Sequence, residues 1–266
     1  MRSIVALMRA QWLSMTSYRL RIIMSFAALL LSVIPIYFVA NALQPLMEPS
    51  ISQEAEQYFA FVLVGTVIFS AVGMAVSTLP GQITSGITTG TLEALLATRT
   101  GLPRILLGVS SFSVFWSGVR GVVALGAGWL LGAHFAWSNA LPALLIALLI
   151  VAATVPFGIM AAAMVLAFRT PGPLPSAVLF LFGALGGVYY PTQVIPGWIE
   201  RVSDWVPLTY GLRALRRVFI RGDSLAEVSG DLGILVVFTV VLFVLAWIAF
   251  VFAFRYARRA GTLTQY

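Results

Sequence analysis

A series of long apolar stretches constrains this sequence more than any other feature. They cover residues 22–43, 57–79, 105–131, 141–168, 175–190 and 232–254. Five of them exceed the ~20 residues that a helix needs to cross the hydrocarbon core of a bilayer. The sequence therefore predicts an all-α integral membrane protein with six transmembrane helices in one domain, residues 1–266. Its 60% hydrophobic and 9% charged residues rule out a water-soluble domain, since such domains carry roughly 25% charge.

Missing residue types exclude several kinds of chemistry. All 16 basic residues are arginine, so no lysine is present to complete a phosphate-binding loop. The chain has no cysteine, and its one histidine, His134, cannot form a multi-histidine metal centre. We therefore expect no catalytic residue, no metal site and no cofactor bound by this chain.

The arginines predict the orientation in the membrane. If the N-terminus is inside, ten arginines and one acidic residue lie inside, five arginines and eight acidic residues lie outside, and Arg120 lies within a span. Cytoplasmic loops carry the excess of basic residues, so both termini are expected in the cytoplasm. The net charge of +7 is then a topology signal and gives no support to nucleic-acid binding. The abundance of arginine and alanine suggests a bacterial source, and thus a multi-pass protein of the bacterial cytoplasmic membrane.

Three segments outside the spans have amphipathic patterns. Residues 1–21 predict an interface helix that lies on the cytoplasmic surface. Residues 86–98, in an inner loop, predict a short helix that either shields the loop or binds a cytoplasmic partner. Residues 191–221 predict two short helices on the outer side. The first has an apolar face of Trp198, Val202 and Trp205, and the second has an apolar stripe opposed by Arg213, Arg216 and Arg217, formed by Leu208, Leu212, Leu215 and Phe219.

The fifth apolar stretch has 16 residues, too few to cross the bilayer comfortably. Glycines and prolines then prevent a helix, although the chain stays apolar. Non-helical backbone at membrane depth occurs only where it is buried in protein or lines a wet cavity. We therefore expect this segment to re-enter the membrane and form an outer gate. For its tyrosines, anchoring in the aromatic belt at the membrane–water interface is an equal alternative. The residues of the gate are Tyr189, Tyr190, Pro191, Pro196, Trp198 and Pro207.

Arg120 is the single charge inside a predicted span. An ionisable group at this depth costs about 2.5–3.5 kcal/mol on insertion scales and is a functional candidate. Two roles are open: Arg120 faces a substrate cavity, or it is paired at the seam between two copies of the chain.

The motifs of the loops resemble those of the ABC-2 family of ATP-driven exporters. The run GTLEALL at residues 90–96 is similar to the family's coupling helix. The runs GVYYP at 187–191, IPGW at 195–198 and VPLTYGLRALR at 206–216 resemble its second signature. Two positions depart from the family pattern, namely Arg99, where proline is common, and Val206, where asparagine is common.

The resemblance implies a permease subunit that moves an amphipathic or lipid-like substrate, such as a drug, antibiotic, lipid or glycolipid. It implies two copies of a separate ATP-binding subunit, which hold ATP and Mg, and a second permease subunit, most simply in a homodimer. The complex would hydrolyse ATP; this chain alone would not. The residues implied in ATPase coupling are Gly90, Thr91, Leu92, Glu93, Leu95, Leu96 and Arg99. The alternative is a secondary transporter or channel without an ATPase partner.

Overall fold

The computed structural model describes Trp12 and residues 19–90, 102–168 and 172–259. Eight α-helices lie in these ranges, and no strand does. They are α1 (Arg19–Ile51), α2 (Tyr58–Thr88), α3 (Leu102–Leu130), α4 (Ala140–Phe168), α5 (Leu174–Leu185), α6 (Gly197–Ser203), α7 (Pro207–Arg216) and α8 (Ser229–Arg259). The prediction of an all-α membrane protein is confirmed.

Four helical segments in the described ranges are long and apolar enough to cross a membrane. They are Ile22–Ile51, Tyr58–Thr88, Trp137–Phe168 and Ser229–Tyr256. The third predicted stretch forms α3, a helix of 29 residues, whose length of about 44 Å also exceeds the hydrocarbon core. The predicted interface helix 1–21 lies outside the described residues, apart from Trp12 and the first residues of α1.

Helix α2 is the centre of the bundle. It packs against α1, α3 and α4, and α4 in turn packs against α8. Of the most apolar 18 residues of α2, 61% are buried, whereas the corresponding shares for α1 and α8 are 6% and 11%. The side chains of α2 are therefore fixed by protein contacts, while α1 and α8 leave wide apolar faces uncovered in the single chain.

Several helices end at positions that are set by packing contacts and differ from the ends of the apolar stretches. Helix α1 continues past residue 43 to Ile51, whose side chain is fully buried. Helix α2 continues past residue 79 because Ile83 packs against Leu166 of α4. Helix α5 ends at Leu185, five residues before the predicted boundary at Tyr190, because glycines follow it.

Candidate functional site

The chain leaves the α-helical conformation after α5 and does not return to it until α6. Gly187 adopts a left-handed conformation with φ of 71°, which a residue with a side chain adopts only with strain. Pro191 precedes a single 3-10 turn, Thr192–Val194, and Pro196 precedes α6. The segment 186–196 is therefore an irregular connection that returns the chain towards α2.

Side chains from this connection and from α6 satisfy the carbonyl groups at the end of α5. The Tyr190 hydroxyl donates a hydrogen bond to the Ala184 carbonyl. The Ser203 hydroxyl donates to the Leu185 carbonyl at 2.5 Å and lies 3.2 Å from the Thr209 hydroxyl. The last carbonyls of a helix have no partner within the helix, so these contacts allow α5 to end inside an apolar environment.

An ion pair between Arg216 and Glu54 lies beside this connection. Arg216, at the end of α7, is 1% exposed, and Glu54, between α1 and α2, is 6% exposed. Nη1 of Arg216 lies 3.1 Å from Oε2 of Glu54. Burial lowers the pKa of the Arg216 guanidinium to about 10, against the opposing effect of the Glu54 carboxylate. A base with this pKa is protonated at pH 7, so Arg216 carries its positive charge inside the protein.

Arg216 also binds two backbone carbonyl groups. Its Nη2 donates to the Val188 carbonyl at 3.0 Å, and its Nε donates to the Phe61 carbonyl at 3.3 Å. The guanidinium carbon lies 3.4 Å from the centroid of the Phe61 ring. One side chain thus joins α7, α2, the α1–α2 connection and the irregular segment after α5.

Helix α2 has a glycine where the irregular segment contacts it. A Cβ atom at Gly65 would lie 2.2 Å from the Val188 carbonyl oxygen and 2.6 Å from Nη2 of Arg216. Real Cβ atoms do not approach backbone oxygen this closely, so any other residue would push the segment away. Nearby, the Tyr58 hydroxyl donates to the Tyr189 carbonyl at 2.8 Å. Both contacts hold the segment 188–190 against α2.

The six residues predicted for the gate lie in this region but differ in environment. Tyr190 and Pro191 belong to the connection described above, and Pro207 is a buried residue in the first turn of α7. Trp198 is 72% exposed, and Tyr189 is also exposed. The predicted apolar face of the first short outer helix therefore does not pack on the protein, since Trp205, just beyond the end of α6, is likewise 79% exposed. An exposed tryptophan pair is typical of the membrane–water interface.

The placement of Arg216 differs from the expectation that it lies on the polar side of α7, opposite the leucines. The sequence interpretation missed both Arg216 and Glu54 as site residues. A signal for Arg216 does exist, because it follows Leu208 and Leu212 at intervals of four and so borders their face of the helix. No local pattern marks Glu54, whose partner lies 162 residues away.

Of the predicted coupling residues, only Gly90 is described. It follows α2 with a left-handed φ of 67°. Thr91, Leu92, Glu93, Leu95, Leu96 and Arg99 lie outside the described residues, as does most of the predicted coupling helix 86–98.

Arg120 is partly buried on α3, and its Nε atom is fully buried without a hydrogen-bond partner among the described residues. An apolar cavity of about 300 Å³ lies between α2, α3 and α4, and Gly118, Gly121 and Val122 line it from α3. Arg120 is not among its lining residues. The Arg120 side chain therefore does not face the apolar cavity of the single chain.

The helices and the buried polar contacts define a polytopic helical membrane protein with an irregular segment between α5 and α6. The chain belongs to the ABC-2 type transporter family, whose model matches residues 2–220. It is accordingly a membrane permease component of an ABC transporter, a part that is not itself an enzyme. Comparison with curated proteins gives no match.

Proposed function

We propose that this chain is the permease subunit of an ATP-driven exporter that moves an amphipathic or lipid-like substrate out of the cytoplasm or inner leaflet. The observation that carries the proposal is the family match over residues 2–220 on a bundle of apolar helices. Two ATP-binding subunits supply ATP hydrolysis, and ATP and Mg bind to them. Two copies of this chain form the pathway in the bacterial cytoplasmic membrane, with six spans and both termini in the cytoplasm.

The segment after α2 contacts the ATPase. In this proposal Leu92, Leu95 and Leu96 enter a groove on the partner, and Glu93 binds a basic residue there. Gly90 supports this assignment because its left-handed conformation ends α2 and allows the chain to turn beneath the bundle.

The connection between α5 and α7 forms the outer gate. Its support is the set of contacts that hold it closed: the Arg216 bonds to the Glu54 carboxylate and the Val188 carbonyl, and the Tyr58 bond to the Tyr189 carbonyl. An ATP-driven rearrangement of α2 against α7 would break these bonds together and release the segment. Alanine at both Pro191 and Pro196 should loosen the gate and raise uncoupled ATPase activity.

The cargo class is supported by the apolar cavity between α2, α3 and α4. A site lined mainly by aliphatic residues and glycine suits an acyl chain or another flexible apolar group, because Ser117 and Trp137 are the only described lining residues with a polar side-chain group. Trp137 and Phe219 line its outer end, where in this proposal the polar end of the cargo lies.

The test is reconstitution with the ATP-binding protein that co-purifies with the chain. We expect a stable complex whose ATP hydrolysis rises when an amphipathic cargo is added. Leu95→Asp should reduce the yield of the complex, because it puts a charge into an apolar groove. Leu225→Asp, at an exposed position after α7, is the matched control and should leave the yield unchanged. Equal complex yields for the two variants would reject the coupling assignment.

The second candidate is a secondary transporter or channel without an ATPase. Ion-coupled transporters carry acidic residues near the midplane, and here α2, α3 and α4 contain none. Substrate movement by the purified chain without any ATP-binding protein would favour this second candidate.

A further inference from the structure

A polar cavity of about 440 Å³ lies next to the Arg216–Glu54 pair. Its lining residues come from the α1–α2 connection, the 3-10 turn after Pro191, the α7 region and the start of α8. They are Gln53, Glu54, Gln193, Arg213, Arg217, Arg221 and Asp231. All seven are polar, in a protein whose other described cavities of comparable size have mostly apolar linings.

The three arginines of this cavity have more hydrogen-bond donors than the structure uses. Each guanidinium carries five N–H donors. Arg213 uses two of them on the Asp231 carboxylate, at 3.0 and 2.5 Å. Arg217 uses one on Asp223 at 2.7 Å, and Arg221 uses one on the Gln53 carbonyl at 2.6 Å. Most of the donors are left for a ligand or for water.

The acceptors of the cavity are largely occupied. Both oxygens of Asp231 accept bonds from Arg213, an interaction that raises the pKa of Arg213 despite its burial. One Glu54 oxygen accepts from Arg216, and Oε1 of Gln53 accepts from Gln193 at 3.1 Å. A ligand that complements the cavity therefore supplies acceptors and negative charge and needs few donors.

Phosphate has this chemistry. The oxygens of a phosphodiester are acceptors only, inorganic phosphate keeps one or two hydroxyl groups at neutral pH, and the planar guanidinium fork matches two acceptor oxygens at once. Asp223 pairs with Arg217 and lies 3.8 Å from Arg221, so the carboxylates at the site are those of Glu54, Asp223 and Asp231. The four guanidinium groups of Arg213, Arg216, Arg217 and Arg221 exceed them by one positive charge. Arginine stays protonated at all physiological pH values, so the charge of the guanidinium groups does not change in that range.

We propose that this cavity is a binding site for a phosphate group. The group belongs either to a phospholipid headgroup or to free phosphate. The exposed Trp198 lies on α6 and the exposed Trp205 just beyond its end, both following Gln193 in the chain, and tryptophans of this kind lie at headgroup depth. The cavity is thus within reach of lipid phosphates. The site goes beyond the proposed export function, since it lies apart from the apolar cavity assigned to the cargo and needs no ATPase to bind its ligand.

The experiment measures binding to the purified full-length chain in detergent by isothermal titration. One arm titrates inorganic phosphate, and the other titrates short-chain phosphatidylglycerol, with the corresponding phosphate-free diacylglycerol as its control. The variant is Arg217→Gln/Arg221→Gln, and the matched control is Arg201→Gln, an exposed arginine of α6 that does not line the cavity.

We expect the glutamine pair to weaken binding about tenfold or more, because it removes two charge-assisted donors. Arg201→Gln should leave the affinity within about twofold. The affinity of Arg217→Lys/Arg221→Lys should lie between those two values, since lysine keeps the positive charge but lacks the paired N–H donors of the guanidinium.

Binding of both ligands, of phosphatidylglycerol alone or of inorganic phosphate alone supports the site and identifies the source of the phosphate. Binding of neither ligand overturns the proposal, and so does equal affinity in the wild type and the glutamine pair. If the glutamine pair is not monodisperse in size-exclusion chromatography, the single variant Arg221→Gln decides, because Arg221 is exposed. An unchanged affinity in Arg221→Gln would then overturn the proposal.

Discussion

Arg216→Met should strongly destabilise the protein, although methionine has a similar length. The substitution leaves the Glu54 carboxylate buried without a partner, which costs about 3–5 kcal/mol in proteins. It also removes the donor at 3.0 Å from the Val188 carbonyl, a loss that overlaps with the first and does not simply add to it. For a chain of this size 1 kcal/mol shifts the melting temperature by about 2–4 °C. We therefore expect a decrease of about 6–20 °C.

A double-mutant cycle in detergent tests the reason for this loss. Melting is measured for Arg216→Met, Glu54→Leu and the two combined, with Arg201→Met as the exposed control. Apolar replacement of both members of a buried pair is often neutral, so the double variant should recover most of the loss. A shift below about 2 °C for Arg216→Met, or losses that add in the double variant, would refute the view that the buried ion pair stabilises this region.

Three further predictions concern single positions. Gly65→Ala should lower the melting temperature by several degrees, because its Cβ would lie 2.2 Å from a carbonyl oxygen. The control Gly81→Ala, with no atom within 4 Å of the new Cβ, should be neutral or slightly stabilising. Equal effects of the two substitutions would contradict the close contact at Gly65. A cysteine at Ser224 should react with an impermeant thiol reagent in intact cells and one at Thr88 should not, and the reverse labelling would invert the proposed topology. Arg120→Gln should keep or raise the melting temperature while transport falls, because it removes a charge at membrane depth whose buried Nε has no hydrogen-bond partner among the described residues; unchanged transport would leave Arg120 without a functional role.

The sequence predicts the membrane helices because their signal is local. Twenty consecutive apolar residues have few options in lipid other than a helix, so the approximate positions of α2, α4 and α8 follow from hydropathy. Their ends do not, because the last turn of a helix depends on what it contacts. Ile83, for example, extends α2 through its packing on α4, and no property of its neighbours in the sequence indicates this.

The irregular segment after α5 was predictable only in part. Gly187 and the prolines indicate that the helix stops, and the short apolar stretch indicates that the chain stays near the membrane. What closes the segment is a guanidinium whose partners are a distant carboxylate and two backbone carbonyls. Hydropathy treats Arg216 and Glu54 as two surface charges, since burial of a charge depends on a partner that a local pattern cannot reveal.

The distance along the chain between Glu54 and Arg216 has a consequence for biosynthesis. The two residues are 162 positions apart. At ribosomal rates of 5–20 residues per second, Arg216 is made about 8–30 s after Glu54. For most of that interval α1 and α2 have both been synthesised while the carboxylate between them lacks the Arg216 guanidinium. Because an unpaired carboxylate does not enter an apolar interior, Glu54 stays hydrated until α7 is synthesised. The packing around Glu54 is therefore completed only when the last third of the chain has been synthesised. A chain truncated before Arg216 would expose an acidic α1–α2 connection to the quality-control machinery of the cell.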